Sequence, residues 1–170
     1  RINMNIFLIG FMGAGKSTIA KQFAKTHGKE VVEMDERIAK SNGMSISEIF
    51  ETRGEAYFRE EETKLLNDLS SKKDVIVSCG GGVAMRKENV DIMKQSGTIV
   101  LLSAEPKTIL KRVENEHDRP LLENNKTIEH IQELMEARKP FYESAADVVV
   151  VTDGKSASTI CEEIFKKIQE

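Results

Sequence analysis

The stretch Gly10-Phe11-Met12-Gly13-Ala14-Gly15-Lys16-Ser17 fits the pattern G-x-x-x-x-G-K-[ST]. Glycines at this spacing let successive backbone N–H groups turn toward one anion, and a helix opening at the lysine adds the positive end of its dipole. Lys16 can then reach the β- and γ-phosphates of a nucleoside triphosphate such as ATP, and the Ser17 hydroxyl can coordinate Mg2+. Gly13, Ala14, Gly15, Lys16, Ser17 and Thr18 are therefore the candidate nucleotide-binding residues. An ordinary strand-to-helix turn would have no need of Lys16-Ser17. A dinucleotide site is the sharper rival, because Gly13-x-Gly15-x-x-Thr18 is a degenerate G-x-G-x-x-G and Asp35 follows about 20 residues on. That rival lacks its third glycine, and a lysine at the helix start is superfluous for a pyrophosphate held by backbone alone. Phosphoryl transfer is the better reading.

A cradle of this kind needs a strand before it and a helix after it. Ile6-Phe7-Leu8-Ile9, ended by Gly10, is a short continuous apolar run, the pattern of a strand buried on both faces. Ile19, Ala20, Phe23 and Ala24 then repeat at helical spacing and stop before Gly28. Val31-Val32 predict a second strand, Val75-Ile76-Val77 a third, Thr98 to Leu102 a fourth and Val148 to Val151 a fifth. From Asp35 the pattern turns helical. Ser45-x-x-Glu48 and Thr52-x-x-Glu55 both read as capping boxes, the second opening a long helix through Tyr57, Phe58, Leu65, Leu66 and Leu69. Ile160, Ile164 and Ile168 mark a C-terminal helix. Strands alternating with helices predict right-handed crossovers and a parallel sheet with helices on both faces. Glu114 to Lys126 is polar apart from Leu121-Leu122, and a loop that long inside a compact domain reads as a lid or binding loop.

Composition narrows the partners. The chain has 170 residues, the size of one domain (1–170), with 39% hydrophobic and 31% charged residues, which disfavours disorder. Its formal net charge of −3 makes it a poor general binder of nucleic acid. No apolar run approaches the roughly 20 residues that cross a bilayer, so no membrane partner is expected. Cys79 and Cys161 are the two cysteines, without a CxxC, and signal neither a disulfide framework nor a zinc site. Arg1-Ile2-Asn3 precede Met4, where a natural start could lie, and read as a cloning remnant (1–3).

Further short motifs follow the cradle in order: Met34-Asp35, Gly54-Glu55-x-x-Phe58-Arg59, Gly80-Gly81-Gly82, Arg119-Pro120-Leu121-Leu122, and Arg138-x-x-x-Tyr142 closing a helix. Together with Gly10 to Thr18, their order and spacing resemble the shikimate kinase family nearly end to end. The resemblance implies an α/β fold of three layers, a five-stranded parallel sheet in the order 2-3-1-4-5 of the nucleoside-monophosphate-kinase type, with a lid loop at 114–126. It implies transfer of the ATP γ-phosphate to the 3-hydroxyl of shikimate in aromatic amino-acid biosynthesis, with ATP and Mg2+ as cofactors. A cytoplasmic monomer is the corresponding expectation.

The resemblance also assigns roles. Shikimate carries one carboxylate and three hydroxyls, so its pocket needs cations and acceptors. Asp35 is implied to accept from the hydroxyls and to orient or deprotonate the attacking one; on the residues alone, an N-cap of the next helix is as good a reading. Arg59 and Arg138 resemble the carboxylate-binding pair, although each alone would more often be a solvated charge. Gly80, Gly81 and Gly82 resemble the loop whose backbone approaches the substrate. Arg119 is implied to stabilise the transferring phosphoryl beside Lys16, and Arg112 to pack on adenine, with an exposed helix charge as its competitor. Asp153, in the turn after the fifth strand, is implied to line the adenine site. Ser17 is the metal ligand. Glu33 departs from the family's usual Asp at that position and is implied to reach Mg2+ through water. Another small P-loop kinase, acting on gluconate or a nucleoside monophosphate, and a silent binding protein on the same fold are the alternatives.

Overall fold

The computed structural model describes residues 4–114 and 127–169, so Arg119 and the expected lid beyond Glu114 lie outside the described residues. Five strands form one parallel sheet: β1 (Asn5–Ile9), β2 (Glu30–Glu33), β3 (Val75–Ser78), β4 (Gly97–Ser103) and β5 (Val148–Val151). Their order is β2-β3-β1-β4-β5, as expected. β1 pairs with β3 (Ile6 opposite Ile76) and with β4 (Ile6 opposite Thr98). All of β1 and β3 is buried, which is why they read as unbroken apolar runs. The edge strand β5 instead alternates, with Val150 inside and Val149 and Val151 exposed.

Helices cover both faces: α1 (Lys16–His27), α2 (Met34–Asn42), α3 (Ile46–Arg53), α4 (Glu55–Ser70), α5 (Lys87–Ser96), α6 (Pro106–Val113), α7 (Ile128–Ala145) and α8 (Ala157–Gln169). The predicted face of α1, Ile19, Ala20, Phe23 and Ala24, is buried in the main core. Gly28 ends α1 at φ 73°, a left-handed cap. A second small core of Ile38, Ile49 and Phe58 joins α2, α3 and α4 into a side lobe. Polar bonds brace that lobe, since the Asn42 Oδ1 accepts from the Tyr57 hydroxyl at 2.5 Å and from Arg53 Nη1 at 3.1 Å.

One boundary differs from expectation. The box at Ser45 forms with both bonds, but Thr52 starts no helix. Its hydroxyl donates back to the Glu48 carbonyl within α3, and α4 begins after Gly54, whose φ of 87° breaks the helix and turns the chain. Arg138-x-x-x-Tyr142 closes α7 as expected, the Tyr142 carbonyl accepting from the capping Ala146 N–H, and the helix runs through Pro140 to Ala145. Burial of Tyr142 and Ala145 in the core outweighs the local cost of an interior proline.

Asn5 ties the strands together at the edge opposite the cradle. It is 1% exposed, its Nδ2 donates to the Lys72 carbonyl at 3.0 Å, and its Oδ1 accepts from the Val75 N–H at 3.2 Å. Asn5→Leu leaves the buried Val75 N–H without its acceptor and is expected to lower the unfolding free energy by about 1–3 kcal/mol. Urea denaturation checks this, and a loss below about 0.5 kcal/mol would contradict it.

Candidate active site

β1 brings the chain to Gly10, and α1 takes it away at Lys16. Between them the loop turns at Gly13, with φ 82°, where a Cβ would also lie 2.8 Å from Val113 Cγ1. Gly15, at φ 97°, stands immediately before the helix. Lys16 is buried and lays its ammonium on the loop's own carbonyls, 2.6 Å from Gly10 O and 3.2 Å from Phe11 O. Phosphate oxygens carrying full charge compete well against such neutral acceptors. Ser17 is exposed, with its Oγ 3.4 Å from the Ser78 Oγ at the end of β3. Arg112, in the last turn of α6, donates from Nη1 to Gly13 O at 2.9 Å and so stands at the cradle.

No three His, Cys, Asp or Glu side chains gather as a metal cage among the described residues. Mg2+ on a nucleotide keeps waters and phosphate oxygens and takes only one or two protein oxygens. Ser17 lines the cleft together with Glu33, whose carboxylate also pairs with Lys21 at 3.3 Å. The residues present therefore fit the ion.

The acceptor half of the site is built around Gly80-Gly81-Gly82, which follows β3. A Cβ on Gly80 would meet Glu62 Oε2 at 2.8 Å and Asp35 Oδ1 at 2.9 Å. One on Gly81 would meet Arg138 Nη1 at 2.9 Å, and one on Gly82 would meet Arg59 Nη1 at 2.5 Å. The three missing methyl groups are thus the space that Asp35, Glu62, Arg138 and Arg59 occupy. Asp35 comes from the start of α2, and Glu33, not Asp35, holds the N-cap position, so capping does not explain it. Arg59, on α4, pairs with Glu62 at 2.9 Å and Glu55 at 3.1 Å, and its guanidinium lies 5.3 Å from the Phe58 ring centre. Arg138, on α7, lies 5.8 Å from the ring centre of Phe11, in the phosphate loop. Cradle and glycine loop open into one cleft of about 350 Å3, lined by Lys16, Ser17, Asp35, Gly80, Gly81 and Arg112 among others.

Asp153 is not gathered there. It lines a different cleft, and its Oδ1 accepts from Glu105 N at 3.1 Å and from the Thr108 hydroxyl at 2.6 Å, pinning the start of α6. Cys79 is buried beside the glycines, and burial pushes its thiol up, so it is no nucleophile.

Sequence reasoning passed over Glu62. Its side chain is fully buried, whereas that of Arg59 is 20% exposed. Burial drives the Glu62 carboxyl up to about 7, although Arg59 pulls the other way. For Arg59 burial works against the charge, but Glu62 and Glu55 prevail and raise its pKa. The only sequence signal was the Arg59-x-x-Glu62 spacing, which ordinarily marks a surface ion pair.

Comparisons with known proteins agree with this geometry. A family model for shikimate kinase matches residues 12–169. A shikimate kinase of Dehalococcoides mccartyi is 39% identical over 170 residues, covering 100% of this chain and 96% of that protein. Another, of Sulfurihydrogenibium sp., is 41% identical, covering 97% and 98%. Among solved structures, the Acinetobacter baumannii shikimate kinase in complex with shikimate superposes with a TM-score of 0.94 at 33% identity, covering 98% of this chain and 93% of that one. The Aquifex aeolicus enzyme gives 0.85 at 36%, covering 98% and 96%. A gluconokinase of Sinorhizobium meliloti, at 18% identity and a TM-score of 0.61, shares the fold alone. From the phosphate loop to the last helix, the chain belongs to the shikimate kinase family.

Proposed function

We propose that this cleft transfers the γ-phosphoryl of ATP to the 3-hydroxyl of shikimate, giving shikimate 3-phosphate and ADP, a step of aromatic amino-acid biosynthesis. The observation that carries it is the convergence of two arginines and two acids, Asp35 and Glu62, on the three Cβ positions that Gly80, Gly81 and Gly82 leave empty. Two planar cations beside an acid match a carboxylated polyol, whereas a nucleotide acceptor would ask for a base-sized apolar slot.

Arg59 and Arg138 hold the carboxylate and fix which hydroxyl faces the cradle. Asp35 accepts from that hydroxyl, orients its lone pair toward the phosphoryl, and takes the proton as the new bond forms. Bringing two reactants into one cleft supplies much of the acceleration by orientation. Lys16 leaves the carbonyls of Gly10 and Phe11 for the phosphate oxygens and neutralises charge that grows there. The backbone of Gly13 to Thr18 cradles the remaining phosphates, and Arg112 borders the nucleotide. Arg119, outside the described residues, is assigned to the transferring phosphoryl beside Lys16 on the family resemblance. Ser17, with Glu33 as the nearby acid, would hold Mg2+, which when bound would neutralise charge on the triphosphate.

Asp35→Asn is expected to lower kcat by at least about 100-fold while the KM for shikimate stays within about threefold, since the amide orients a hydroxyl but accepts no proton. Steady-state kinetics with ATP and shikimate check it. A change confined to KM would make Asp35 a binding group only.

Glu62 generates a pH signature. Its folded carboxyl titrates near 7 against an ordinary 4.5, so the folded state binds the proton more tightly. That contribution to stability is complete below pH 4.5 and is lost as pH rises through about 7. Glu62→Gln keeps the shape without the titration. Relative to wild type, the variant is expected to gain roughly 2–3 kcal/mol of stability between pH 5 and pH 8. Urea denaturation across this pH range checks it; if the two proteins' stabilities instead run parallel with pH, the Glu62 carboxyl is not raised on folding and the prediction fails.

A further inference from the structure

We propose that Tyr142 is a positioning residue for the acceptor's carboxylate, its hydroxyl fixing the gap between the Arg138 guanidinium and the Gly80–Gly82 loop. The inference rests on the reading that Arg138 holds that carboxylate.

Tyr142 is 6% exposed, and its hydroxyl donates to the Gly81 carbonyl at 2.6 Å. Arg138 lies one helical turn earlier on α7, hence on the same face. Both residues converge on Gly81. A Cβ built there would lie 2.9 Å from Arg138 Nη1 and 3.9 Å from the Tyr142 hydroxyl. Thus α7 carries one group that binds the glycine loop and another that faces the space beside it. The bond between them sets how far the guanidinium stands from the loop backbone.

The loop needs such a fastening. Three successive glycines have more backbone freedom than any other run of residues. From the far side the segment is anchored by Asn89, whose Nδ2 donates to Val83 O at 3.0 Å. From the α7 side Tyr142 is the anchor. Arg138 is within hydrogen-bonding reach of the same phenol, while its Nη1 is buried without a hydrogen-bond partner among the described residues. Its guanidinium also lies 5.8 Å from the centre of the Phe11 ring. If the Gly81 peptide rotates, the pocket changes width and the Arg138 fork no longer meets the carboxylate squarely. Burial pushes the Tyr142 hydroxyl up, with Arg138 opposing, so it remains a donor throughout the working pH range.

A phenol that merely fills the core predicts something different. Its removal would lower stability and the active fraction, and leave both substrates' KM values alone. Tyr142→Phe keeps the ring and removes only the donor. It is expected to raise the KM for shikimate about tenfold, with kcat and the KM for ATP within twofold of wild type. Arg138→Met and the double variant complete a cycle, in which Tyr142→Phe adds less than twofold once Arg138 is gone. The Tm of each variant and its binding of an ATP analogue report folding separately. An unchanged shikimate KM in Tyr142→Phe beside a raised one in Arg138→Met would overturn the positioning role and leave the pocket reading intact. Full tenfold effects in both backgrounds, or loss of both ligands, would also overturn it. An unchanged shikimate KM in Arg138→Met would instead overturn the pocket reading itself.

Discussion

A carbon atom added to Gly82 would stand 2.5 Å from Arg59 Nη1, one on Gly81 2.9 Å from Arg138 Nη1, and one on Gly80 2.9 Å from Asp35 Oδ1. These three side chains come from α4, α7 and α2, elements far apart in sequence. They meet because β3 ends in a segment without side chains of its own. The absence of Cβ atoms makes room for chemistry that must lie against backbone. It also leaves a loop with excess conformational freedom, and the bonds from Tyr142 and Asn89 to Gly81 and Val83 offset that freedom.

The sheet order then does the rest. Because β3 lies beside β1, the glycine loop opens next to the phosphate loop, and one cleft serves donor and acceptor. Contacts between the halves are direct. Phe11 belongs to the phosphate loop yet packs its ring against Arg138, and the Ser17 hydroxyl meets Ser78 at the end of β3. Charge is balanced unevenly across the pocket. Arg59 is flanked by two glutamates, and the cost of desolvating the buried one raises its carboxyl to about 7. Arg138 retains a buried N–H without a protein acceptor among the described residues, a position suited to an incoming anion.

Much of this was legible in the residues. The central strands could be read because parallel strands covered on both faces are short unbroken apolar runs ended by glycine, as at Ile6 to Gly10. The cradle could be read because Lys16-Ser17 has no purpose in a plain turn. Thr52-x-x-Glu55 misled, since the capping pattern is present but Gly54 at φ 87° restarts the helix one residue before the glutamate. Glu62 was invisible for a different reason. An arginine and a glutamate three apart look the same whether they face water or a pocket, and only the packing of α4 against the glycine loop decides. Asp153 holds the start of α6 through Glu105 N and the Thr108 hydroxyl, a job that a carboxylate in a turn after a strand does as readily as meeting a ligand.

The central claim is that the missing side chains at Gly80 to Gly82 place the arginines. Gly82 tests it most directly, because its φ of −97° suits alanine and only the space beside it is at issue. Titration calorimetry of Gly82→Ala should show shikimate affinity falling by about 50-fold, the worth of one displaced bidentate arginine. Binding of an ATP analogue and the Tm should stay near wild type, because the Arg59 fork can swing aside without unfolding anything. Shikimate binding within threefold of wild type in that variant would contradict the account.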